Sequence, residues 1–112
     1  PPDGYLAGIQ ALCHGRGALL VLDEVQTGLG RSGRMWCYEH DGVEPDVIVT
    51  GKGLGGGVYP IAATLMTPAV HRFYDEEPFV HVSSYGGSDI GCIVALSVLD
   101  VLETPGFLLP LV

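Results

Sequence analysis

Two short apolar runs, each delivering the chain to a chargeable side chain, set the frame for what this sequence can fold into. "ALLVL" runs from Ala18 to Leu22 and meets Asp23 and Glu24. "DVIVTG" runs from Asp46 to Gly51 and meets Lys52, the only lysine in the chain. An apolar run of this length, flanked by glycine, is the pattern of a strand buried on both faces of a parallel sheet. Ahead of the first run, Tyr5, Leu6, Ile9, Leu12 and Cys13 fall at helical spacing, and Gly15 and Gly17 supply stops. A helix leading into a buried strand is half of an α/β unit.

The rest of the chain extends that unit. "QTGLGRSGRMWCYEHDGVEPD" is a long irregular connection with room for one short helix around Trp36 to His40. "IAATLM" is a third strand candidate, separated from the second only by "GKGLGGGVYP". That loop has no helical pattern and is barely long enough for a crossover, so the third strand is expected to run antiparallel to the second. Thr67 and Pro68 read as N-cap and first helical residue of the next segment. "SDIGCIVALSVLDVLE" is apolar nearly all round, which predicts a buried helix capped by Ser88, with Asp89 at the positive end of its dipole.

Composition narrows the function classes. The net charge is −8 with five basic residues, against the clustered Lys and Arg that nucleic acid or an anionic membrane demands. No apolar run reaches the roughly 20 residues that span a bilayer. Cys13, Cys37 and Cys92 are odd in number and lack any C-x-x-C, and the four histidines lack metal-ligand spacing. The expectation is a cytoplasmic protein without a metal site. Hydrophobic residues make up 47% and charged residues 16% of the 112, rich for a free-standing domain of that size. Together with an opening "PPDGYL" and a closing "PGFLLPLV", this predicts a segment of a larger protein.

Parallel α/β sheets bind ligands at the carboxyl ends of their strands. The two runs therefore bring Asp23 with Glu24, and Lys52, to one sheet edge. A strand-end carboxylate and amine match the needs of pyridoxal phosphate: the amine forms a Schiff base with the aldehyde, and the carboxylate keeps the pyridine nitrogen protonated. Each has a plainer reading, the acidic pair as a solvated turn or cap and the lysine as a surface charge. "ALLVLDE" also fits a Walker B strand of a nucleotide hydrolase. That alternative needs a Walker A loop, and the one Gly-Lys here has Asp46 where its first glycine belongs and Gly53 in place of Ser or Thr; a Walker A loop outside the segment keeps it as the runner-up. "GLGRSG" and "GKGLGG" satisfy G-x-G-x-x-G, but among 17 glycines such matches arise by chance, and neither leads from a strand into a helix. The hydroxyls and glycines of "HVSSYGGSDIG" precede the last helix and form a candidate anion turn.

Taken together, "LLVLDEVQTGLGRSGRMWCYEHDGVEPDVIVTGKGLGGGVYPIAATL" resembles the cofactor-binding core of the class III pyridoxal-phosphate aminotransferases. The likeness runs nearly end to end and is closest to the ornithine and diamine members. D-E-V-Q-T-G, the G-R-[ST]-G turn, P-D and G-K-x-L-G-G-G with a Tyr-Pro turn are jointly specific. The resemblance implies that Lys52 carries the cofactor, Asp23 pairs with its ring nitrogen, Val25 packs under the ring and Gln26 bonds its phenolic oxygen. Ser84 stands where the family's phosphate-binding threonine reaches into the other subunit of a homodimer. Ser88-Asp89 departs from the family's Asn-Pro and adds negative charge beside that turn. The implied fold is α/β, the large domain of a fold-type I enzyme: a mainly parallel sheet with one antiparallel strand and helices on both faces. Residues 1–112 would be the later part of that domain, without its first half or the small C-terminal domain, and inactive in isolation. The implied activity is amino transfer from an amino acid or diamine to a keto acid. A non-catalytic remnant of the same fold is the further alternative.

Overall fold

The computed structural model describes residues 1–108. The end of the apolar tail, 109–112, lies outside them. In chain order the elements are α1 (Tyr5–His14), β1 (Val21–Asp23), a 3-10 turn (Cys37–His40), β2 (Val47–Thr50), a second 3-10 turn (Lys52–Gly55), β3 (Ala63–Met66), α2 (Pro68–Glu76) and α3 (Asp89–Leu102). The sheet order is β1-β2-β3. β1 and β2 pair in parallel, with Val21 opposite Val47 and Asp23 opposite Val49. β3 returns antiparallel to β2, as its short connection requires, with Thr50 opposite Ala63.

Local chemistry explains the joints. α1 ends at Gly15, whose N–H bonds the Ala11 carbonyl at 2.9 Å, and Gly17 turns the chain at φ 66°. Asp46 then ties the end of that turn to the start of β2. Its Oδ2 accepts the Leu20 N–H at 2.7 Å and lies 3.3 Å from His14 Nε2. The Leu20 hydrogen bond, aided by His14, holds the Asp46 carboxyl below its ordinary value, although partial desolvation works the other way.

Burial departs from the sequence expectation. Among the described residues only Leu20, Val43 and Leu54 form a buried apolar core, each contributing about 1.5–3 kcal/mol. β1 is not covered on both faces, since Leu19 and Val21 are each 54% exposed. α3 is not a buried helix: Ile90 and Ile93 are each 63% exposed, and Gly91 is its one buried residue. The cause is geometric. The fold is a slab 45 × 41 × 19 Å, too thin to enclose a sheet and an all-apolar helix from every side. α3 grips the rest of the chain through small residues. A Cβ on Gly91 would meet Ile61 Cδ1 at 3.1 Å and the Tyr59 ring at 3.2 Å, and one on Gly56 would meet Val98 Cγ2 at 3.0 Å.

Thr67 and Ser88 take the N-cap positions expected of them, with Pro68 and Asp89 opening the helices. Neither Thr67 nor Ser88 makes a side-chain cap bond. The Thr67 carbonyl takes the N–H of Val70 and His71, and the Ser88 carbonyl takes that of Cys92, as in any helix start. No helix among the described residues is long and apolar enough to cross a membrane.

Candidate active site

Parallel pairing brings the C-terminal ends of β1 and β2 side by side. Asp23 is opposite Val49, the Glu24 N–H bonds the Val49 carbonyl at 2.8 Å, and Lys52 follows two residues after the end of β2. Gly51 is extended and buried against Ala62, where an added Cβ would come within 3.3 Å. Lys52 itself has φ 41°, in the left-handed region that non-glycine residues rarely occupy. The backbone thus makes a sharp departure from the strand at the lysine, into the 3-10 turn that ends at Gly55.

The Lys52 side chain is exposed at this edge, and its Nζ donates to Gln26 Oε1. Two concavities meet at the lysine. One, of about 520 Å³, is lined by Val25, Gln26, Gly28, Leu29 and Arg31 beside Lys52. The other, of about 640 Å³, is lined by Lys52 and the glycine loop through Tyr59, Pro60 and Ile61. Both fall in the range of small-molecule sites. Of the residues singled out in the sequence, Val25, Gln26 and Lys52 therefore come together. Asp23 shares their sheet edge but lines neither concavity. Its carboxylate is exposed, with Oδ1 accepting the Val25 N–H at 3.0 Å in an Asx-type turn. Ser84 is exposed in the segment between α2 and α3, apart from the lysine concavities.

The second acidic residue has a different role from the first. Glu24 is only 3% exposed. Its Oε2 accepts the Thr27 hydroxyl at 2.5 Å and the Cys37 N–H at 3.2 Å, and its Oε1 accepts the Tyr38 N–H at 2.9 Å. A buried carboxylate requires such partners, because its lost hydration costs several kcal/mol otherwise. Alternation along a strand gave the signal: adjacent residues face opposite sides, so Asp23 and Glu24 cannot both look into one crevice. Burial, followed by the charges of Glu39, Glu24 and Glu44, pushes the Tyr38 phenol above its ordinary value.

The donor set fits pyridoxal phosphate. An exposed amine is held by a side-chain amide at a strand end, and an exposed carboxylate stands on the neighbouring strand end. A phosphate loop of Walker type does not fit. Lys52 opens a 3-10 turn and the chain returns as antiparallel β3, rather than entering an α-helix.

Known proteins agree on the kind of molecule. The family model described as Aminotransferase class-III matches residues 1–109. An uncharacterized aminotransferase of Archaeoglobus fulgidus is 50% identical over 108 residues, covering 96% of this chain and 26% of the relative. The putrescine aminotransferase of Pectobacterium atrosepticum is 50% identical over 104 residues, 93% of this chain and 22% of that protein. Among solved structures, Plasmodium falciparum ornithine δ-aminotransferase superposes with a TM-score of 0.84 at 45% identity, over 91% of this chain and 26% of that one. Ornithine aminotransferase from Toxoplasma gondii gives 0.86 at 41% identity, over 92% and 24%, in a structure with partial occupancy of pyridoxal phosphate at its active site. The chain spans 22% to 26% of the length of the curated relatives. With a family match over nearly all of its residues and the same fold in that family's solved structures, the chain belongs to the class III aminotransferases.

Proposed function

We propose that the whole protein transfers an amino group from an amino acid or diamine to a keto acid, with pyridoxal phosphate held on Lys52. The observation that carries this reading is the Lys52–Gln26 hydrogen bond at the edge where Asp23 ends the adjacent strand, in a chain of this family. The two relatives named for ornithine and putrescine support a substrate with an amine remote from its carboxylate or lacking one.

Bound pyridoxal phosphate supplies a ring that accepts electrons from the substrate carbon. Lys52 Nζ would hold the cofactor's aldehyde carbon and, when free, would act as the base and acid that moves the proton at the substrate carbon. Gln26 fixes the direction from which that nitrogen works. Asp23 would keep a proton on the ring nitrogen through a charge-assisted hydrogen bond, and its turn to the Val25 N–H orients the carboxylate. Val25 forms the apolar floor. Ser84 supplies a phosphate hydroxyl to the partner subunit of a homodimer, in keeping with its distance in sequence and surface from the lysine concavities. The chain forms the later part of a fold-type I large domain whose sheet is mainly parallel with helices on both faces. Its uncovered apolar surfaces on β1 and α3 are then covered by the remainder of that domain and by the second subunit. Three cysteines without a pairing pattern suit a cytoplasmic setting.

Borohydride reduction of the full-length protein with pyridoxal phosphate, followed by peptide mapping, tests the assignment. The expected adduct is on Lys52, and Lys52→Ala is expected to lose both the near-ultraviolet-to-visible cofactor absorbance and turnover. An adduct elsewhere, or unchanged absorbance in Lys52→Ala, refutes it. No adduct at all favours the non-catalytic remnant.

A further inference from the structure

Glu24 is the one charged side chain among the described residues that is buried, and the reaction as proposed makes no use of it. Its contacts are distributed in an informative way. The backbone N–H of Glu24 bonds the Val49 carbonyl on β2, and its carbonyl accepts the Gly28 N–H at 2.9 Å. Residues 24–28 are thus closed into one turn whose base is attached to the sheet. The carboxylate then bonds Thr27 inside the turn and the backbone of Cys37 and Tyr38 beyond it. Gln26 lies in the middle of that turn, exposed, and its only hydrogen bond among the described residues is to Lys52.

An exposed glutamine has several rotamers to lose, and by itself it is a loose tether. It holds Lys52 in one place only if its own Cα is fixed, and Glu24 supplies most of the bonds that fix it, beside the one from the Val25 N–H to Asp23 Oδ1. Tight packing adds to this. A Cβ on Gly28 would lie 2.8 Å from the Glu24 carbonyl and 2.9 Å from the Trp36 ring, so Gly28 packs directly against the indole that precedes the 37–40 segment.

We infer that Glu24 is a positioning residue, fixing the 24–28 turn so that Gln26 holds the Lys52 amine at the sheet edge. It touches neither substrate nor cofactor. Its relevance to turnover rests on the proposed role of Lys52, but the coupling from Glu24 through Gln26 to the amine exists without any cofactor.

The experiment measures labelling of Lys52 Nζ by trinitrobenzenesulfonate in the cofactor-free, full-length protein at fixed pH, quantified by peptide mapping. Gln26→Leu removes the acceptor and is expected to raise the labelling rate about fivefold, the equivalent of one hydrogen bond. Glu24→Gln should give a rise of the same order, and the double variant should exceed neither single one by much, as for residues acting in series. Asp46→Asn, which weakens the fold at the opposite end of β2, should lower thermal stability and leave Lys52 labelling unchanged. A folded Glu24→Gln with unaltered labelling, or effects that multiply in the double variant, overturns the proposal. If Glu24→Gln gives no folded protein, Thr27→Val decides instead: it removes one of three donors, so a rise of about twofold supports the inference and an unchanged rate overturns it. A missing Lys52 adduct would refute the aminotransferase reading and leave this coupling standing. Unchanged labelling with the adduct present would do the reverse.

Discussion

The loop from Glu24 to Tyr38 and the helix α3 are both built on patterned sequence, yet they are held in opposite ways. The loop has little regular structure, and its order comes from specific polar contacts. Glu24 gathers three donors, Glu39 Oε1 accepts the Trp36 N–H at 2.9 Å, and Gly28 leaves no gap against the indole. α3 is fourteen residues of regular helix, but its cap hydroxyl is unused and only one face is engaged: Ser88 makes no cap bond, Gly91 and Val98 meet the glycine loop, and Leu96 is 60% exposed. Hydrogen bonds with nearby partners can be completed within a thin slab, whereas apolar faces need a second layer. Two of the residues proposed for the cofactor site, Val25 and Gln26, sit on the loop whose order is local.

That contrast can be broken or sharpened by substitution in the full-length protein. The largest effect is expected from Asp23→Asn. Turnover should fall about a hundredfold or more, because a preorganised charge is lost. The unfolding temperature should barely move, since the Asx-type bond survives in asparagine. Near-normal kcat would remove Asp23 from the mechanism. Gly28→Ala comes next. Its Cβ must displace the Glu24 carbonyl or the indole, so urea unfolding should show a loss of about 1–3 kcal/mol. A cost near zero would show that the loop is less tightly packed than its contacts indicate. The smallest effect belongs to α3. Ser88→Ala should change stability by less than about 0.5 kcal/mol, against about 1 for a working N-cap. A larger loss would mean that the hydroxyl finds a partner in the whole protein.

Positions of elements were legible in the sequence because periodicity and glycine stops depend on the segment alone. Tyr5 to Cys13 formed the helix, and the two apolar runs formed paired strands with their charged ends at one edge. The antiparallel return of β3 followed from a ten-residue loop without helical pattern. Burial depends on what lies opposite a face, which this segment alone does not supply: Val21 and Ile93 carry core-like side chains and are exposed within this chain. Capping was legible in position and not in bonding. A hydroxyl at an N-cap position is an opportunity, and at Thr67 and Ser88 only the backbone carbonyls were used. Within the candidate site, Lys52 and Gln26 met as neighbours. The separate duties of Asp23 and Glu24 were hidden in a dipeptide and became visible only through the pleat.

The backbone at Lys52 has one more consequence. At φ 41° a side-chain-bearing residue carries a conformational cost of order 1 kcal/mol that glycine avoids. Selection for robustness alone would exchange this lysine for glycine, the residue that surrounds it in "TGKGLGG". The amine stands at a spot where folding would prefer none, so durability and reactivity are opposed there in one residue.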